Sequence, residues 1–285
     1  MTSFSFQSYN KTKSSTSKVQ LVKFGRSISI YVLTCIAVWV TTFYLTLLYT
    51  SVFYHRAFTH RSIILAPKLK KFILITGNWL TGIEPKTWIC MHRRHHLFAD
   101  KPLDPHSPKY HSILSILWVQ LKSYEITTQQ LEKNNRDYTR IVKDLDFPVH
   151  YLNRSGLWFI PHLLHLGIAI VIAIKFDATL LGACYWLGMN SHPVQGWLVN
   201  AFGHSKGYRN FNTPDISTNN LPVGYLVMGE GFQNNHHQDS RQANFGVKWW
   251  EIDTGYTLCK ILSWMKLLTF NPRVKIRPHR LKPVV

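Results

Sequence analysis

Gly229-Glu230-Gly231-Phe232-Gln233-Asn234-Asn235-His236-His237 is the stretch from which the rest of the chain can be read. It sets two adjacent histidines beside a carboxylate and three side-chain amides. Paired histidines alone mean little. Two earlier clusters give these their weight: His55-Arg56-Ala57-Phe58-Thr59-His60 and His92-Arg93-Arg94-His95-His96. Three histidine clusters interleaved with apolar runs are hard to explain as packing.

The apolar runs set the setting. Residues 28–54 carry no charge, and a membrane span needs about 20 apolar residues, so one transmembrane helix fits there. Residues 63–90 are apolar but interrupted by Lys68, Lys70, Lys71, Glu84 and Lys86. They read either as a second span with charged flanks or as a helix lying in the interface. Residues 157–176 and 178–200, broken only by Lys175 and Asp177, read as a tight helical hairpin. The polar, proline-punctuated segments 91–156 and 201–285 read as cytosolic, with helices expected around Ser112–Tyr124 and Gln129–Lys143. The first 26 residues read as a flexible basic tail. The expected fold is therefore all-α: a polytopic membrane protein with three to four transmembrane helices and a helical cytosolic cap, forming one domain from residue 27 to 285.

Charge agrees with a membrane setting. The 285 residues hold 33 Lys and Arg against 14 Asp and Glu, a net charge of +19. That balance suits nucleic acid or the anionic cytoplasmic face of a membrane. Aromatic content of 14% and long apolar runs favour the membrane, and no nucleic-acid-binding module is recognisable. The positive-inside tendency places the tail, the middle segment and the C-terminal segment on the cytoplasmic side. One span before His55 conflicts with that, unless the first segment is re-entrant or a second span ends near Gly82. Cys35, Cys90, Cys184 and Cys259 show no CxxC pair and read as unpaired thiols. The N-terminal segment lacks the features of a cleaved signal peptide.

The histidine spacing implies metal. Residues three and four apart share a helix face, so His92 and His96 can grip one ion. His95 lies about 100° round the helix from His96 and can face a second ion, and His236 and His237 diverge in the same way. His55 and His60, five apart, suit a helix end. Each cluster thus looks built to reach two neighbouring metals. Imidazole suits Zn, Fe, Cu and Ni. A structural zinc site usually includes cysteine, and none is placed for it here, so a dinuclear, redox-capable iron site fits better. His150, His162, His165 and His279 read as ordinary histidines, and His106 and His111 as supporting or incidental.

These residues resemble the membrane fatty-acid desaturase family, which carries the boxes HxxxxH, HxxHH and HxxHH around membrane hairpins. Here they read H-R-A-F-T-H at 55–60, H-R-R-H-H at 92–96 and Q-N-N-H-H at 233–237. Asp104-Pro105-His106, Asn200 with His204, and Gly229-Glu230-Gly231 extend the likeness, which runs from about residue 28 to 270 and is nearest to bacterial members of the acyl-CoA or acyl-lipid delta-9 type. The resemblance implies two irons. One would be held by His55, His60, His92, His96 and His237, the other by His95, His204 and His236, with Asn200 acting through a water. Gln233 departs from the pattern, since many relatives have histidine there; its carbonyl oxygen is a weaker ligand.

The activity implied is O2-dependent insertion of a cis double bond into a long-chain acyl group carried on CoA or on a lipid. The protein's part is to bend the chain and place one C–C bond beside the irons, in a narrow apolar tunnel. Trp79, Trp88, Trp118, Trp186 and Trp197 are candidates for its wall, and basic residues are expected at its mouth to hold an anionic head group. Lacking a haem or flavin module, the chain would take electrons from a separate ferredoxin- or cytochrome b5-type donor with its reductase. The expected location is the bacterial inner membrane, with the site on the cytoplasmic side. The competing classes are a diiron membrane hydroxylase, a zinc-dependent membrane hydrolase and a metal-binding membrane protein without catalysis.

Overall fold

The computed structural model describes residues 28–274; the expected basic tail and His279 lie outside them. Helix α1 (Ile28–Thr59) runs for 32 residues with a mean hydropathy of 1.9 in its most apolar window. It has no charge before Arg56, and among the described residues it is the one helix both long and apolar enough to cross a bilayer. Its last segment, Tyr49–Thr59, winds as a π-helix, a wide coil that is rare and frequent at functional sites.

The stretch 63–90, expected as one span or an interfacial helix, is divided into three pieces. Strand β1 (Ile63–Leu65) comes first. Helix α2 (Pro67–Thr81) follows, opened by Pro67 and closed by Gly82 at φ +68, whose N–H bonds Asn78 O. Proline suits a first helical turn, and glycine takes the left-handed conformation at a helix end without strain. Helix α3 (Pro85–Phe98) then starts on Glu84, whose carboxylate accepts from Thr87 N at 2.6 Å. At 15 residues α2 is about 22 Å long, short of a hydrocarbon core of about 30 Å.

Helix α4 (Ile116–Glu132) covers one side of α3. The short helices α5 (Arg136–Thr139) and α6 (Tyr151–Arg154) lead to the apolar hairpin of α7 (Ile160–Lys175) and α8 (Thr179–Met189). Any side chain on Gly182 would meet the Ala169 carbonyl, so glycine sets how closely the hairpin packs. The run 178–200 is not one helix. It stops at Asn190, restarts as α9 (His192–Trp197) with Pro193 in its first turn, and continues as a second π segment, Leu198–Phe202. Proline has no N–H for a preceding turn, which accounts for the break.

Helix α10 (Leu221–Leu226), α11 (Gln233–Gln238) and α12 (Thr254–Trp264) complete the cap. Strand β2 (Leu268–Phe270) pairs antiparallel with β1, Ile63 opposite Phe270, so the otherwise helical fold contains a two-stranded ribbon that ties the C-terminal segment beside the first histidine box. The main core packs the π segment of α1 against α2 and α3 through Phe53, Tyr54, Ile73 and Ile89. All four cysteines are free. Apolar side chains on α1 and α7, among them Leu33, Ile36, Val171 and Ile174, are exposed.

Candidate metal centre

Three elements deliver the boxes. The π segment of α1 carries His55, with His60 at its C-terminal cap. Its backbone closes i to i+5, His60 N donating to His55 O at 3.1 Å. Residues five apart therefore sit one above the other, and the spacing that fits an α-helix poorly suits a π-helix. Helix α3 carries His92, His95 and His96. Helix α11 carries His236 and His237, pinned by the asparagines before them. Asn235 Nδ2 donates to Phe245 O and to Glu251, each at 2.9 Å, and Asn234 Oδ1 accepts from Asn210 N and Phe211 N at 2.8 Å.

The histidines converge as two neighbouring groups. In the first, one ring nitrogen from each of His55, His60, His92, His96 and His236 lies within 4.8 Å of all the others. Three Nε2 contacts fall at 3.0 to 3.1 Å, between His55 and His236, His92 and His96, and His236 and His96. The second group joins His95, His204 and His237, with 3.2 Å between the Nε2 atoms of His95 and His237. The rings of His96 and His237 stack at 4.6 Å across the boundary. The partners on α11 are exchanged relative to expectation: His236 joins the five-histidine group and His237 the group of His95. Spacing shows only that adjacent residues diverge; the rotation of α11, set by Asn234 and Asn235, decides which way each points.

In the second group every Nδ1 faces a carboxylate. His95 reaches Asp104 at 3.0 Å, and His204 and His237 reach Asp100 and Asp215 at 2.9 Å each. With Nδ1–H donated to the acid, each Nε2 presents a lone pair, and those of His95 and His237 point at one another. His204 Nε2 is buried with no hydrogen-bond partner. Converging lone pairs call for positive charge between them. Carboxylate-oriented imidazoles are how proteins hold first-row metal ions, so the residues present fit such an ion. The first group fits as well. Glu230 Oε2 accepts from His55 Nδ1 at 2.7 Å, and the buried His60 Nε2 has no partner.

The electrostatics agree. Burial, then neighbouring charges, mainly other imidazoles, hold His60, His92, His96 and His236 well below the usual histidine pKa, so at neutral pH they are neutral imidazoles with a lone pair to offer. His237 is pushed down to about 4, chiefly by burial. For Asp100, Asp104 and Asp215 burial alone would raise the pKa. Their histidine partners and further hydrogen bonds outweigh it, and all three stay below the ordinary carboxylate range. Burial likewise opposes protonation of His95, yet Asp104, Asp100 and Asp215 together raise its pKa. That is the response of a site demanding positive charge.

Other expected residues fall nearby. Asn200 lies on a cavity wall and donates to Gln120 Oε1 at 3.0 Å. Gln233 is buried against Gly203 and spends its Nε2 on Glu230 O at 2.7 Å. His106 is more embedded than its incidental reading implied: it stacks on His95 at 4.6 Å, and neither buried ring nitrogen has a partner. Sequence reasoning gave no role to the carboxylates. Asp104 was visible only as part of a flanking motif, and Asp215 carried no signal. Asp215→Asn is expected to weaken metal binding at the second group roughly 10- to 100-fold, read by metal retained during titration with a chelator.

A cavity of about 620 Å³ reaches the first group, its walls including Trp88, Met91, His55 and His92. Trp88 alone of the five expected tryptophans lines it; Trp158 is the other. Trp118 is 70% exposed, and Trp197 donates to Ile113 O. The expected basic mouth is also absent, for among the described residues no lysine or arginine lines this cavity.

Fold and site together define a helical protein with two adjoining all-histidine groups that could each hold a metal ion, beside an apolar cavity. A sequence profile of the fatty acid desaturase family matches residues 31–259. The chain is 32% identical over 209 residues to the acyl-CoA C20 Delta5-desaturase of Anemone leveillei, covering 73% of this chain and 64% of that one. It is 31% identical over 203 residues to the sn-1 stearoyl-lipid 9-desaturase of Anabaena variabilis, covering 70% of each. Against Delta-9 acyl-lipid desaturase 2 of Arabidopsis thaliana it is 27% identical over 263 residues, covering 88% and 82%. The chain thus spans just under two thirds of the Anemone relative's length. It belongs to the fatty acid desaturase family.

Proposed function

We propose that the protein is an O2-dependent fatty acyl desaturase that converts two adjacent methylenes of a long-chain acyl group into a cis double bond. The observation that carries this reading is the apolar-walled cavity ending on His55 and His92 of a two-group histidine centre. Two iron ions would be held by His55, His60, His92, His96 and His236, and by His95, His204 and His237, with Gln233 as a further oxygen donor. Bound there with O2, they supply the power to break unactivated C–H bonds, which no side chain has.

The chain's own residues do the rest. The cavity walls hold the acyl chain and exclude water, and the volume lies in the range of ordinary ligand pockets. Glu230, Asp100, Asp104 and Asp215 fix the imidazole tautomers and ring orientations. Asn200 and Gln120 place a polar pair on the wall, where they can orient water or the chain. Residues 27–285 act as one membrane domain, in the bacterial inner membrane with the site on the cytoplasmic side. The exposed apolar faces of α1 and α7 support membrane insertion. Electrons come from a separate ferredoxin- or cytochrome b5-type donor.

Expression in a host lacking fatty acid desaturation, followed by fatty-acid profiling, tests this. A new cis-monounsaturated product is expected. A hydroxylated acyl product would favour a hydroxylase, and an unchanged profile with iron and reductant present would sink the proposal.

A further inference from the structure

A second cleft, of about 470 Å³, lies apart from the histidine groups, between α2 and the segment 147–154. Pro67, Lys70, Lys71, Leu74 and Ile75 recur at helical spacing and form one wall. Phe147, Pro148, Val149, Tyr151 and Arg154 form the other. Two polar contacts tie the walls together: Asn78 Nδ2 donates to Asn153 Oδ1 at 2.9 Å, and Lys70 Nζ pairs with Asp146 at 2.7 Å. Glu84, 1% exposed, lines the buried side. Its carboxylate is already engaged, accepting from Thr87 N at 2.6 Å and from His150 N at 3.1 Å. Lys71 and Arg154 are exposed, and among the described residues neither side chain has a carboxylate or hydrogen-bond partner.

We propose that this cleft binds one anionic phospholipid of the surrounding bilayer, with Lys71 and Arg154 holding its phosphate and the apolar walls holding the upper part of its acyl chains. The proposal rests on membrane insertion and not on the reaction at the histidine centre. Charge complementarity selects the head group, since an unpaired ammonium and an unpaired guanidinium both suit phosphate, the guanidinium through a forked contact. A zwitterionic lipid brings a cation of its own and offers those two groups less. The apolar walls select the body of the ligand, because Leu74, Ile75, Phe147 and Val149 give a small soluble anion nothing to bond. The level fits as well. Helix α2 exposes Phe72 and Ile75 beside Lys68 and Lys71, as a helix lying in the membrane interface does. Leu157, Trp158 and Phe159 are exposed between Arg154 and the apolar α7, and tryptophan favours the head-group level. Because Glu84 also caps α3, the helix of His92, His95 and His96, a lipid bridging both walls steadies the start of that helix.

The test uses purified full-length protein in a neutral detergent, titrated with phosphatidylglycerol, with phosphatidylcholine of the same chains, or with sn-glycerol 3-phosphate. Native mass spectrometry counts bound lipid, and the unfolding midpoint reports its effect. Phosphatidylglycerol is expected to bind as a single molecule, roughly tenfold tighter than phosphatidylcholine, and to raise the midpoint; glycerol phosphate should do neither. The double variant Lys71→Gln, Arg154→Gln should lose roughly thirtyfold in phosphatidylglycerol affinity, about fivefold for each cation, with its lipid-free midpoint unchanged. The pair Lys71→Arg, Arg154→Lys should keep most of the binding. The pair Lys122→Gln, Lys260→Gln removes the same net charge from exposed positions on α4 and α12 and should bind as wild type does. Phosphatidylcholine or glycerol phosphate binding as tightly as phosphatidylglycerol would overturn the proposal. So would equal losses in the two glutamine pairs, which would mean attraction by total charge and not by this cleft. Turnover plays no part in the readout, so failure of the desaturase reading would leave the result standing.

Discussion

Replacing His95 with alanine is expected to abolish turnover while leaving the chain folded and in the membrane fraction. His95 Nε2 faces His237 in the second histidine group, and its Nδ1 is held by Asp104. Alanine leaves only two imidazoles, His204 and His237, and the weak carbonyl donor proposed at Gln233, too few to hold an ion against exchange. Metal content should fall by one ion per chain, and turnover by about a thousandfold or more, as when one member of a concerted site is removed. The five-histidine group does not use His95 and should keep its ion. Wild-type turnover or unchanged metal content in His95→Ala would refute its assignment as a ligand.

The second large effect is on stability. Arg56 is fully buried beside His55. Its guanidinium pairs with Glu230 and Asp253 at 2.9 Å each, donates to Ala243 O and Met228 O, and lies 4.0 Å over the Phe245 ring. Removing one member of a buried ion pair leaves its partners charged without compensation, which costs roughly 3–5 kcal/mol. Arg56→Met should therefore lower the unfolding midpoint sharply. Because Glu230 also accepts from His55 Nδ1, it should loosen the first histidine group as well. Arg56→Lys is expected to rescue little, since an ammonium cannot make the forked contacts. An unfolding midpoint within error of wild type for Arg56→Met would contradict this account of the network.

Parts of this were legible in the chain. The four-residue spacing of His92 and His96, with His95 one step round, placed the first pair together and His95 apart, because α3 is a regular helix and spacing fixes direction in one. His55 and His60 were harder. Their proximity needs a π-helix, and side-chain chemistry gives little warning of that backbone. His236 and His237 were seen to diverge, but a helix of six residues takes its rotation from outside contacts, here the hydrogen bonds of Asn234 and Asn235. Asp215 meets His237 across 22 residues of chain that include α10, a contact no local pattern reports. The anionic head group that the resemblance implies suggested a basic mouth, yet among the described residues no lysine or arginine lines the cavity, because which side chains line a wall is set by helix rotation and not by the kind of substrate expected.

The central claim is that eight histidines form two adjoining metal sites that work as one iron centre. Metal analysis of protein purified after growth with iron, together with Mössbauer spectroscopy, tests it most directly. The account predicts two irons per chain with spectra showing that they are coupled. A single iron, or stoichiometric zinc accompanied by oxygen-independent activity, would contradict it.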